Sequence, residues 1–103
     1  MQAKELNRLI KTKKPPVILD VRSSMEFRAG HIPGAERLSF WKFIFRLAKL
    51  PEDKETRIIV LCESGARAGM VIGMLAKRGY SRLEGLDGDM AGWRNSGLPV
   101  QKT

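Results

Sequence analysis

The chain has 103 residues, the size of one compact domain, so we expect a single domain over residues 1–103. Its 43% hydrophobic and 29% charged residues exclude a disordered or low-complexity protein, and its single cysteine excludes a disulfide-stabilised secreted scaffold. No uninterrupted apolar stretch is long enough for a signal peptide or a membrane span, so we expect a cytoplasmic protein without a membrane partner.

The net charge of +8 favours anionic partners through long-range attraction. The basic residues lie in every segment, however, and only Lys11, Lys13 and Lys14 approach a run. Base-stacking aromatic residues interleaved with arginines are absent outside residues 40–50. We therefore expect a small anion or an acidic protein as the partner, and no nucleic acid.

The first third of the chain alternates helix and strand signals. Apolar residues at helical spacing predict an N-terminal helix over residues 3–11, within the segment 1–14. The aliphatic run 17–21 predicts a buried strand, and Ser24 is the predicted cap of a one-turn helix. A turn at 30–34 then precedes a short strand near Arg37 and Leu38.

Residues 40–49 form the next predicted helix, with Ser39 as its N-terminal cap. Lys42, Arg46 and Lys49 fall on one face, and aromatic and aliphatic residues fill the rest of the circumference. This apolar face is wider than one core contact requires. Core packing is the favoured interpretation, and a docking surface stays open as the alternative.

The second half contains the clearest strand, 57–62, followed by a helix over about 66–78 that ends at Gly79. A strand near 82–86 and a short helix near 90–95 complete the chain. Strands that alternate with helices predict an α/β fold with a mostly parallel sheet of four or five strands and helices on both faces.

Cys62 is the candidate nucleophile, since it ends a central strand at the edge where open α/β sheets bind ligands. The backbone N–H groups of the connection 63–67 are predicted to turn inward around the sulfur, and Gly65 allows the tight curl. The following helix directs its positive end at the same point, and Arg67 adds a guanidinium. These features favour an accessible thiolate, the reactive form of cysteine.

Four motifs in order give the chain a specific resemblance. They are Leu19-Asp20-Val21-Arg22, then Glu26-Phe27 with Gly30-His31-Ile32-Pro33-Gly34-Ala35, then Cys62-Glu63-Ser64-Gly65-Ala66-Arg67-Ala68, and finally Leu86-Asp87-Gly88-Asp89 with Trp93. The third fits the pattern C-x-x-G-x-R. Together they resemble the single-domain form of the rhodanese-like sulfurtransferase family, over about residues 17–100.

The resemblance implies that Cys62 takes a sulfane sulfur from a small anionic donor such as thiosulfate and holds it as a persulfide. A thiol, a sulfur-carrier protein or cyanide then removes it. It further implies that the substrate-binding loop is Glu63, Ser64, Gly65, Ala66, Arg67 and Ala68, and that no metal or organic cofactor is required. Arg67 is the charged residue that we expect to contact the substrate.

The same resemblance assigns structural roles to Asp20, Arg22, His31 and Gly34, with Arg22 paired to a carboxylate and His31 in a turn rather than in a Cys–His dyad. Two positions depart from the family pattern. Asp89 replaces a glycine, and we expect it to cap the last helix. Glu63 brings a negative charge to the loop where an anionic donor must enter, which argues against thiosulfate as the physiological donor and leaves a persulfidated protein as an alternative.

Two other functions compete with sulfur transfer. Phosphatases of the cell-cycle and arsenate-reductase type use a C-x5-R loop on the same fold, whereas Cys62 and Arg67 give C-x4-R, a smaller loop that suits one sulfur atom. A generic aryl phosphate should therefore not be hydrolysed. The second alternative is a non-catalytic module that docks a partner through the aromatic face of residues 40–50.

Overall fold

The computed structural model describes all 103 residues and contains five helices and four strands. In chain order they are α1 (Ala3–Leu9), β1 (Val17–Asp20), α2 (Ser24–Ala29), β2 (Glu36–Arg37), α3 (Phe40–Ile44), β3 (Ile58–Leu61), α4 (Ala66–Lys77), β4 (Leu83–Gly85) and α5 (Asp89–Asn95). None of the helices combines the length and the apolar composition that a bilayer span requires.

The strands form one sheet in the order β2-β1-β3-β4, and every neighbouring pair is parallel. This confirms the α/β prediction. The two central strands pair along four residues, from Val17 opposite Ile58 to Asp20 opposite Leu61. Their carboxyl ends therefore lie side by side, and the residues that follow them, Val21 and Cys62, emerge at the same edge of the sheet.

Both faces of the sheet are buried under helices, as predicted. Successive residues of β3 point to opposite faces, so that Ile58 and Val60 belong to one apolar cluster and Ile59 and Leu61 to the other. The first cluster is completed by α3 and α4, the second by α1 and α5. Cys62 continues the alternation and lies on the α4 face.

The cap of α2 is Ser23, so the prediction that Ser24 caps this helix is wrong by one position. The Ser23 hydroxyl accepts the Glu26 backbone N–H at 3.2 Å, and the Glu26 carboxylate accepts the Ser23 backbone N–H at 3.1 Å. This reciprocal pair requires a glutamate three residues after the serine; Ser23 has one, whereas Ser24 is followed by Phe27 at that position.

The helix α3 is shorter than the predicted span 40–49, although its cap is Ser39 as predicted. The helix ends because the Lys42 carbonyl accepts the N–H groups of both Leu47 and Ala48, and Arg46 between them adopts a φ of 60°. The chain thereby turns back and brings Ala48 onto the same apolar cluster as Phe43.

The side chains of this segment divide between core and surface. Phe43 is fully buried, as the core-packing interpretation requires, whereas Trp41, Phe45 and Leu47 are 68%, 68% and 75% exposed. Core packing therefore explains only part of the aromatic face.

Candidate active site

Cys62 lies at the bottom of a pocket of about 210 Å³ at the carboxyl edge of the sheet. The pocket is lined by Arg22, Glu26, Cys62, Glu63, Ser64, Ala66 and Arg67. The Cys62 side chain is only 4% exposed and packs in the α4-face cluster. The prediction of an exposed sulfur is therefore wrong: Cys62 is almost entirely buried, and the small part of it that is accessible lines the pocket.

The backbone of the loop after Cys62 reaches the sulfur through Gly65. The Gly65 N–H donates to Cys62 Sγ at 2.8 Å. No other backbone amide donates to the sulfur, so the prediction of a ring of inward-turned amides is wrong. Gly65 precedes α4 directly, so the positive end of that helix faces the sulfur. Its φ of +102° and an Asp89 carboxylate oxygen 2.9 Å from the position of an added Cβ explain why this residue is glycine.

Asp89 fastens the backbone of Cys62 from the other side. Asp89 as a residue is 9% exposed, and its carboxylate accepts the Cys62 backbone N–H at 3.1 Å. The Met90 N–H donates to the Cys62 carbonyl at 3.0 Å. The expectation that Asp89 caps α5 is wrong: the N-cap position is Gly88, and Asp89 is the first helical residue, with a φ of 52°. Its carboxylate is turned toward Cys62 instead.

Arg22 is buried and paired with Asp20, in agreement with the predicted structural pairing. Its Nε and Nη2 donate to the two Asp20 carboxylate oxygens at 3.0 and 2.9 Å, and Nη2 also donates to the Gly30 carbonyl at 2.8 Å. Burial by itself would lower the pKa of the Arg22 guanidinium, but the hydrogen bond and charge of Asp20, with Glu63 and Glu26, raise that pKa above its ordinary value. Arg22 is thus a permanent cation in the pocket wall.

The Glu63 carboxylate is held by two arginines. Arg94 Nη1 donates to it at 3.3 Å, Arg94 Nη2 forms an ion pair with its second oxygen, and Arg22 Nη1 lies 3.5 Å away. The negative charge that the sequence places beside the sulfur is therefore compensated. Arg94 was not anticipated, since it is 31 residues from Glu63 and belongs to no motif.

Arg67 and Glu26 complete the charged lining. Arg67 is exposed and makes no ion pair or hydrogen bond, so its guanidinium is free to meet a ligand. The pKa of the Glu26 carboxyl lies below its ordinary value, because it accepts hydrogen bonds from the Ser23 backbone and hydroxyl, against the effect of burial and with help from Arg22 and Arg67. Glu26 was named only as part of a family motif.

The remaining predicted residues divide between the pocket and the scaffold. Ser64 and Ala66 line the pocket, whereas Ala68 is buried in the α4-face cluster and does not. His31 lies outside the pocket lining: its Nδ1 is 2.8 Å from the Phe27 carbonyl, and its ring stacks on Phe27 at 3.8 Å. Gly34 has a φ of +87° in the same turn. No three metal-ligating side chains lie close enough together to hold an ion.

Comparison with known proteins assigns this fold to a family. The family model for the rhodanese-like domain matches residues 2–96. The chain belongs to the rhodanese-like domain family, which confirms the resemblance inferred from its four motifs.

Two curated relatives and one solved structure extend this assignment. A sulfurtransferase of Allochromatium vinosum is 27% identical over 97% of this chain and 92% of its own length, and the thiosulfate sulfurtransferase GlpE of Pseudoalteromonas translucida is 30% identical over 79% and 75%. The crystal structure of the Alr3790 protein from Anabaena sp. superposes with a TM-score of 0.87 at 25% identity, over 100% of this chain and 82% of that one. Of several longer relatives the chain spans only 33–48%.

Proposed function

We propose that this protein is a sulfurtransferase that carries a sulfur atom on Cys62 as a persulfide. The observation that carries the proposal is the position of Cys62 Sγ at the bottom of an open pocket lined by two arginines and two glutamates, with the Gly65 N–H donating to the sulfur at 2.8 Å. This N–H and the positive end of the helix that follows can hold a negatively charged sulfur species at this point. The sulfurtransferase names of two relatives support the same activity.

The first step loads the sulfur. With thiosulfate as donor, the Cys62 thiolate attacks the outer sulfur, the sulfur–sulfur bond of thiosulfate breaks, and its electron pair leaves with sulfite. The free guanidinium of Arg67 and the permanent charge of Arg22 both line the pocket that the anion enters. The Cys62 persulfide then retains the hydrogen-bond donor that served the thiolate.

The second step unloads the sulfur. An external nucleophile, which is cyanide in an assay and a thiol or a sulfur-carrier protein in the cell, attacks the outer sulfur of the persulfide and regenerates the Cys62 thiolate. The acceptor must be a second molecule, since the chain contains one cysteine. A reducing compartment such as the cytoplasm would keep that thiol reduced and supply thiol acceptors.

The decisive experiment is the intact mass of the protein after incubation with thiosulfate. We expect the mass of one added sulfur atom, its removal by cyanide with release of thiocyanate, and no addition to Cys62→Ser. The variant Ser96→Ala, altered at an exposed serine that ends α5 and does not line the Cys62 pocket, serves as the control and should still be loaded. A wild-type protein that takes sulfur from no sulfane donor would contradict the proposal and favour the docking module.

A further inference from the structure

A second cavity, of about 390 Å³, adjoins the Cys62 pocket and has no part in the reaction with thiosulfate. Arg22 and Arg67 line both cavities, so the two share a wall of guanidinium groups. The second cavity extends from that wall to the end of β2 and the start of α3, where Arg37, Ser39 and Trp41 line it. A ligand that reaches Cys62 can therefore continue into this space.

Two of the three arginines that line this second cavity are unpaired, whereas Arg22 is paired with Asp20. Arg37 and Arg67 are exposed and make neither an ion pair nor a hydrogen bond. Its lining contains no aspartate or glutamate, although Glu26 and Glu63 line the Cys62 pocket beside it. Unpaired guanidinium groups in a concave site free of carboxylates recognise carboxylate or phosphate groups, to which they donate in pairs.

The cavity also offers an apolar surface and small polar groups. Trp41 is 68% exposed and meets the Phe40 ring in a T-shaped arrangement, so that much of its indole is free to cover the aliphatic part of a ligand. Ser24 and Ser39 add hydroxyl groups to the lining, and the Ser24 hydroxyl makes no hydrogen bond within the protein. Thiosulfate has no part that would use such a surface.

From these observations we infer that the second cavity is a subsite for an organic persulfide or thiol that bears carboxylate groups. The inference rests on the proposed function and names its substrate class. The sulfur of the ligand meets Cys62, and a carboxylate lies between Arg37 and Arg67. In the loading step the Cys62 thiolate attacks the outer sulfur of R–S–SH, the bond between the two sulfurs breaks, and its electron pair leaves with R–S⁻, giving Cys62–S–SH.

The test compares two donors, glutathione persulfide, which carries two carboxylates, and thiosulfate. We expect Arg37→Ala to lower kcat/KM with glutathione persulfide by about tenfold more than with thiosulfate, the loss of one charged hydrogen-bonding partner. Arg37→Lys, which keeps the charge, should recover part of the loss. The control Arg8→Ala removes an exposed arginine of α1, on the opposite face of the sheet, and should leave both values unchanged. Equal losses with the two donors in Arg37→Ala would overturn the inference.

A binding measurement decides the subsite without any transfer. Glutathione sulfonate cannot donate sulfur, and we expect it to shift the NMR resonance of the indole N–H of exposed Trp41. The indole N–H resonance of Trp93 should stay unchanged, because Trp93 is buried and its indole N–H donates to the Pro99 carbonyl. Arg37→Ala should abolish the shift. No shift in the wild-type protein would overturn the subsite even if Cys62 is loaded by thiosulfate, and a shift in a protein that is never loaded would contradict the proposed function alone.

Discussion

Glu63 places a carboxylate at the rim of a pocket that is proposed to receive an anion. Left unpaired, this charge would repel thiosulfate, since it adjoins the nucleophile in the chain. Two arginines hold it, Arg94 from α5 and Arg22 from the segment between β1 and α2. We therefore regard Arg94 as a positioning residue that acts on the donor through Glu63.

Replacement of Arg94 by alanine should lower kcat/KM for thiosulfate by about two- to fivefold, the range expected for a partly exposed ion pair. The double variant Arg94→Ala/Glu63→Gln should recover the wild-type value, because the charge that Arg94 compensates is then absent. Steady-state thiocyanate production with the four proteins of this cycle measures the coupling. A double variant as slow as the single one would contradict the role assigned to Arg94.

The residues of the site differ in how well their positions could be predicted from the sequence. Cys62, Gly65 and Arg67 lie within six consecutive residues, so the sequence alone places them close together, although Arg67 belongs to α4. The partners that hold this loop, Asp89 and Arg94, meet it only across 27 and 31 residues of chain. Their contacts depend on where α5 packs, and a single sequence does not specify that placement.

At the scale of the elements, α2 is stabilised mainly by its first turn. None of its residues is buried, and the reciprocal hydrogen bonds of Ser23 and Glu26 close its amino end. The same carboxylate lines the Cys62 pocket. The stability of this helix and the electrostatics of the site therefore share one titrating group.

The lowered pKa of Glu26 predicts how the stability of the protein changes with pH. A carboxyl whose pKa is lower in the folded state stabilises the fold above its unfolded-state pKa, and this contribution is lost as the pH falls through the folded-state value. The wild-type protein should exceed Glu26→Gln in free energy of unfolding by less than about 1 kcal/mol at about pH 7, and by nothing at about pH 2. Denaturant unfolding at both pH values measures this, and a difference independent of pH would contradict it.

Most elements could be located from the sequence, whereas several of their ends could not. The aliphatic runs of β1 and β3 identify buried strands by composition alone, and Gly79, with a φ of +98°, marks the end of α4 as predicted. The predicted end of α3 was wrong because a backbone turn at Lys42, rather than the apolar pattern, terminates the helix. The spacing of apolar side chains does not indicate where backbone hydrogen bonds of this kind form.

The molecule as a whole carries a net charge of +8, whereas the Cys62 pocket is lined by two arginines and two glutamates. The rate of loading by a dianion should therefore depend on ionic strength, since screening shortens the range of the attraction. At this scale the sequence was most informative: charge and family follow from composition and from four ordered motifs, and the parallel sheet follows from the alternation of strands and helices.

We expect kcat/KM for thiosulfate to fall severalfold between about 0.05 M and about 0.5 M potassium chloride. Alkylation of Cys62 by iodoacetamide, which is uncharged, is the control and should not respond to the salt. A thiosulfate rate that stays constant over this range would show that long-range attraction makes no contribution to capture of the donor.

The recessed position of Cys62 also governs what oxidation does to the protein. A disulfide-linked dimer would require the Cys62 sulfurs of two molecules to approach within about 2.05 Å of each other. Because Cys62 is 4% exposed and lies at the bottom of a pocket in each molecule, the two sulfurs cannot come that close. Hydrogen peroxide, in contrast, is small enough to enter. Ageing in air should therefore convert the Cys62 thiol to sulfur oxyacids, and the protein should remain a single monomer band on a non-reducing gel. A thiol reductant added early should restore the thiol, because sulfenic acid is reversible. The same reductant added late should not, because sulfinic and sulfonic acids are not reduced by thiols.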